Sequence, residues 1–107
     1  MRALTQEPVR LRAMSELLTP EAIEEAVAGS GWVRQGDAIV LDTEHANFEA
    51  AWAFATLVAG AAEAVNHHPD ILVHGWNKVR ITLSTHSAGG VTALDIELAG
   101  AVDAFRG

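Results

Sequence analysis

The stretch Val79-Arg80-Ile81-Thr82-Leu83-Ser84-Thr85-His86 decides the fold. Val79, Ile81, Leu83 and Thr85 fall on one face of an extended chain, and Arg80, Thr82, Ser84 and His86 on the other. That alternation describes a strand with a core-facing row and a polar row. A sheet built from such strands is covered by helices on one side, while its other side is wet or paired with a partner.

Working outward from this strand, Ile71 to His74 forms a shorter one, joined to it by a bend at Gly75-Trp76-Asn77-Lys78. Trp32 to Asp42 reads as a hairpin: Trp32 to Gln35, a Gly36-Asp37 turn, then Ala38 to Leu41. Glycine allows the positive φ that a tight hairpin turn requires. Short turns within each strand pair favour antiparallel pairing.

Three helices separate and flank these pairs. Thr19-Pro20-Glu21 starts the first, with Thr19 as cap and Pro20 in the first turn. Ile23 and Val27 share a face, and Gly29 and Gly31 close the helix. Ala46 to Val65 is the longest, with Phe48, Trp52, Ala55, Ala59 and Ala62 expected as its core stripe. An aromatic box for a cofactor is the sharper reading of Phe48 and Trp52; core packing is the plainer one. Gly60 invites a close contact with a sheet or a second subunit. Thr92 to Phe105 is the last helix, with Thr92 and Asp95 spaced as a capping box and Leu94, Leu98, Ala101, Val102 and Phe105 as its stripe. The expected architecture is α+β: a four-stranded antiparallel sheet with three helices on one face, in the order α-β-β-α-β-β-α.

The chain has 107 residues, half of them apolar, which suits one small domain with one core. Residues 14–107 form that domain. Residues 1–13, broken by Pro8 and carrying scattered arginines, are expected to be a flexible extension. The net charge of −7 argues against direct nucleic-acid binding, which needs clustered Lys and Arg. There are no cysteines, so disulfides and thiolate chemistry are excluded. No apolar run approaches a membrane span, and the N-terminus lacks an apolar core followed by a cleavage site. A cytoplasmic protein is the expectation.

The chemistry lies in Glu63-Ala64-Val65-Asn66-His67-His68-Pro69, together with His86. Histidine titrates nearest neutrality, so three of them invite acid–base work. Surface loop histidines are the bland alternative. Three histidines could also form a zinc set, but His67 and His68 are adjacent and project apart, and no HExxH or cysteine pair supports a metal. Ser84, Thr85 and Ser87 flank His86 without a nucleophile elbow. Glu63 lies four residues before His67, close enough on a helix to orient an imidazole.

Glu63, His67-His68-Pro69, Trp76, His86 and Asp95 together resemble the signature of pterin-4a-carbinolamine dehydratases. Gly31-Trp32, Asp37-Ala38-Ile39, Phe48, Asn77-Lys78-Val79 and Ile81 to His86 extend the resemblance from Leu18 to Phe105. The chain departs from vertebrate relatives at Asn66, where they carry an acidic residue, and in a loop Asp70–Gly75 one residue longer. The resemblance implies dehydration of 4a-hydroxytetrahydropterin to quinonoid dihydropterin, in recycling of the pterin. It implies His67, His68 and His86 as the catalytic trio, with His67 and His86 transferring protons and His68 mainly binding. Glu63, Trp32, Trp76 and Asp95 are implied as substrate-binding or pocket residues. It implies no cofactor beyond the pterin substrate, and a homodimer or homotetramer. The alternative is a non-catalytic assembly or dimerisation module, like relatives that assist ribulose bisphosphate carboxylase assembly or a transcription factor.

Overall fold

A computed structural model describes residues 13–106. Its elements are α1 (Pro20–Val27), β1 (Val33–Gln35), β2 (Ala38–Glu44), α2 (Phe48–Val65), β3 (Asp70–His74), β4 (Lys78–Leu83) and α3 (Ala93–Arg106). The sheet runs β1-β2-β4-β3, antiparallel throughout, so the two hairpins meet through their second strands. The expected α+β order is the one observed. Apart from Ala13, the N-terminal extension lies outside the described residues.

The strand alternation sorts as its sequence demands. Ile39 and Leu41 of β2 and Val79, Ile81 and Leu83 of β4 are buried in one cluster. The same cluster holds Ile23 and Val27 of α1, Ala51, Phe54, Val58 and Ala62 of α2, and Leu98, Ala99 and Val102 of α3. All three helices therefore cover one face of the sheet. The opposite face carries polar rows, including Asp42 beside Arg80 and Glu44 beside Lys78.

Local chemistry sets the helix ends. Thr19 caps α1 by accepting the Ala22 N–H at 3.1 Å. Asn47 does the same for α2, accepting from Ala50 at 2.8 Å, so this helix begins two residues after Ala46. The second hairpin strand runs on to Glu44, because β4 supplies partners as far as Lys78.

The core stripe of α2 differs from expectation. Phe48 and Trp52 are about half exposed, and Ala59 is exposed as well. Ala55 and Ala62 of that stripe are buried, and Ala51, Phe54 and Val58 complete the core face in place of the other three. The helix is apolar on most sides, so periodicity alone does not choose between faces. A Cβ on Gly60 would touch nothing among the described residues, so no close approach within this chain requires that glycine. This 18-residue helix is also long and apolar enough to cross a membrane, contrary to the expectation that no run approaches that length. Its buried stripe is that of a core helix.

Candidate active site

His67 is placed by the way α2 ends. Asn66 adopts the left-handed conformation at φ 53° and ψ 44°, a geometry that Gly and Asn tolerate best. The Asn66 N–H donates to the Glu63 carbonyl at 3.2 Å, and the His67 N–H donates to the Ala62 carbonyl at 3.1 Å. These paired bonds form a Schellman closure, which turns the chain sharply after one residue. Pro69 then biases His68 to extended geometry and leads into β3.

The closure brings the His67 ring to the N-terminus of α3. Its Nε2 lies 2.5 Å from Asp95 Oδ1. The Asp95 side chain has no solvent exposure, and that of His67 has 12%. Burying a carboxylate is costly unless its oxygens receive hydrogen bonds. Asp95 Oδ2 accepts the Thr92 N–H at 2.9 Å and the Thr85 hydroxyl at 2.8 Å. The first of these is the expected capping-box bond, so Asp95 caps α3 and backs His67 at once. The buried Thr85 and Thr92 hydroxyls lie 2.7 Å apart.

His86 joins this assembly through its neighbour. β4 ends at Leu83, and Thr85 forms an isolated bridge to Gly90. The Thr85 carbonyl accepts from Ala88 at 3.0 Å and from Gly89 at 2.9 Å, closing a tight turn with His86 exposed on it. His68 is also exposed, and its Nε2 lies 2.8 Å from Glu63 Oε2. Glu63 therefore partners His68, whereas the spacing had pointed to His67. Among the described residues, no three His, Asp or Glu side chains converge as a metal site.

Three of the residues implied for substrate contact sit elsewhere or behind. Trp32 is buried and donates its Nε1–H to Asp103 Oδ1 at 2.9 Å. Asp103 lies about 12 Å beyond Asp95 along α3, at roughly 1.5 Å per residue. Trp76 is 61% exposed in the β3–β4 turn, at the opposite end of β4 from Thr85. That separation is roughly 20 Å for an extended strand. Asp95 is wholly enclosed, so it reaches a bound molecule only through His67. Thr85 and Thr92 are site residues that no catalytic sequence motif marks. The available signal was Thr85 itself, a polar residue closing the core-facing row Val79, Ile81, Leu83.

This arrangement offers one imidazole supported by a buried carboxylate, a second paired with an exposed carboxylate, and a third exposed at a turn. It suits proton transfer to and from a small molecule. Known proteins resemble this chain over most of its length. Residues 16–105 match the family described as pterin 4 alpha carbinolamine dehydratase. A protein of Roseiflexus castenholzii, 45% identical over 84% of this chain and 97% of its own length, carries the provisional name pterin-4-alpha-carbinolamine dehydratase. A Nocardia farcinica protein with the same provisional name is 47% identical over 83% of this chain and 94% of its own. A Brucella melitensis crystal structure titled transcriptional coactivator/pterin dehydratase superposes with a TM-score of 0.75 at 36% identity, covering 84% of this chain and 98% of that one. A pterin dehydratase-like protein described as a RuBisCO assembly factor shares the fold, with a TM-score of 0.56 at 22% identity over 71% of this chain and 87% of its own. Since the family match reaches from before α1 to the last turn of α3 and includes the three histidines and Asp95, this chain belongs to the pterin-4a-carbinolamine dehydratase family.

Proposed function

We propose that the protein dehydrates a 4a-hydroxytetrahydropterin by histidine acid–base catalysis. The observation that carries this reading is His67 bonded to a fully buried carboxylate, Asp95, which also receives the hydroxyl of Thr85, the chain neighbour of His86. In the reaction the bond between C4a and its hydroxyl oxygen breaks, and the hydroxyl leaves as water after gaining a proton. The adjacent ring nitrogen loses its proton, and its electron pair forms the new C=N bond of the quinonoid dihydropterin. One proton enters and one leaves, so the step is redox-neutral.

His67 takes the proton from the ring nitrogen, because Asp95 behind it stabilises the positive charge the imidazole gains. His86, exposed on its turn, gives a proton to the departing hydroxyl. His68, held by Glu63, contributes binding. In this reading the protein recycles tetrahydropterin in the cytoplasm as a homo-oligomer, and Trp32 and Trp76 shape the pocket only indirectly. The competing reading, an assembly or dimerisation module, draws support from the exposed apolar side chains Phe48, Trp52, Leu57 and Leu72. Stopped-flow mixing of wild-type protein with freshly generated 4a-hydroxytetrahydropterin separates the two. Faster loss of substrate than in buffer supports the dehydratase, and an unchanged rate with folded protein transfers the case to the assembly module.

A further inference from the structure

The network behind His67 has a direction. An ionised carboxylate only accepts, so each partner of Asp95 must bring a hydrogen. The Thr92 amide and the Thr85 hydroxyl both bring theirs to Oδ2. Thr85 has one hydroxyl hydrogen and commits it there. The 2.7 Å contact between the two hydroxyls must therefore be donated by Thr92. The Thr92 oxygen accepts in turn from the Leu94 N–H at 3.2 Å. Every hydrogen bond points toward Asp95 Oδ2, leaving Oδ1 to His67.

We propose that Thr85 and Thr92 are positioning residues. By saturating Oδ2 they hold Asp95 so that Oδ1 receives the Nε2–H of His67, and Nδ1 becomes the nitrogen that exchanges a proton with a bound molecule. A neutral imidazole carries a single N–H, so fixing it at Nε2 frees the Nδ1 lone pair. The Nδ1 atom has no protein partner among the described residues. The proposal rests on the reading of His67 as the proton-transfer group, but its geometric content is measurable without substrate.

Thr85 is 5% exposed and Thr92 0%, and valine matches threonine in shape. If packing were their sole contribution, Thr85→Val would leave His67 unaltered. The positioning role requires the hydroxyl.

The test is imidazole ¹⁵N NMR of histidine-labelled protein at a pH where His67 is neutral, on wild type, Thr85→Val, Thr85→Ser and Asp95→Asn. Wild type is expected to show Nε2–H. In Asp95→Asn, the Thr85 and Thr92 donors require the amide oxygen, which turns the amide NH₂ toward His67. Nε2 must then accept, and the ring is expected to switch to Nδ1–H. Thr85→Val is expected to mix the two tautomers and to lower kcat about tenfold or more, as loss of an orienting partner does. Thr85→Ser restores both readings. An Nδ1–H wild type, an Asp95→Asn that keeps Nε2–H, or a Thr85→Val identical to wild type overturns the proposal. Should Thr85→Val fail to fold, the wild-type and Asp95→Asn spectra still decide. Expected tautomers in a protein without dehydratase activity would remove the proposed function and leave the positioning intact.

Discussion

At Asp95, a loop amide, a hydroxyl just past a strand end and the His67 ring meet on one carboxylate shut away from water. Removing it strands the Thr92 N–H and the Thr85 hydroxyl and takes the cap from α3. Asp95→Ala should therefore cost roughly 2–4 kcal/mol in chemical denaturation, combining unsatisfied buried donors with a lost cap. Asn66 tests the helix exit. Asn66→Ala forces a Cβ-bearing residue without a helpful amide into left-handed backbone and should cost about 1 kcal/mol, while Asn66→Gly should be neutral or better. Asp42 gives a pH signature. Two hydrogen bonds from Arg80 hold the Asp42 carboxyl below its usual range against the opposing effect of burial, with the charges of Arg80 and His74 adding smaller lowering effects. The folded state binds that proton more weakly than the unfolded chain, so the stabilisation is present above about pH 4 and lost as pH falls through the lower folded value. Both groups are exposed and screened. Asp42→Asn should flatten this part of the acid limb of stability against pH by removing the same small increment from neutral-pH stability. At this scale the histidines were legible because their chemistry is rare in the chain. The pairing of Asp95 with His67, and not of Glu63, was not legible, since it depends on how far the Asn66 turn swings the chain.

Among the elements, the strands were the most readable. In β4 every second residue is apolar, and all of its core-facing members are buried. Capping also read through: Thr19 and the Thr92–Asp95 pair make the bonds their spacing implies. The face of α2 did not read through. Alanine dominates that helix, and large apolar residues stand on several sides, so the buried set Ala51, Phe54, Ala55, Val58 and Ala62 emerges only when the sheet is present. A pair of substitutions tests the assignment. Phe54→Ala opens a cavity in the core and should destabilise by about 3–5 kcal/mol. Trp52→Ala, at a half-exposed position, should change the stability of the isolated chain far less, despite removing the larger ring. Equal losses in urea denaturation would mean that the two faces of the helix are misassigned.

For the whole molecule, the two ends of β4 have different roles. One end gathers His67, Asp95 and Thr85, and the other carries the exposed Trp76 turn. A groove of about 460 Å³ runs between α2 and the edge strand β3, lined by Trp52, Ala55, Ile71 and Leu72 among others. An unpaired edge beside exposed apolar side chains favours self-association. Sedimentation velocity should show an oligomer that Leu72→Glu with Trp52→Glu dissociates to folded monomers; a wild-type monomer at all concentrations would contradict this. In the proposed reaction His67 and His86 move the protons. The direct measurement is the single-turnover rate of 4a-hydroxytetrahydropterin dehydration in wild type, His67→Ala and His86→Ala, each verified as folded. The account predicts a loss of about 10²-fold or more in each variant, the usual scale for a positioned acid or base. Rates unchanged from wild type in both would contradict it.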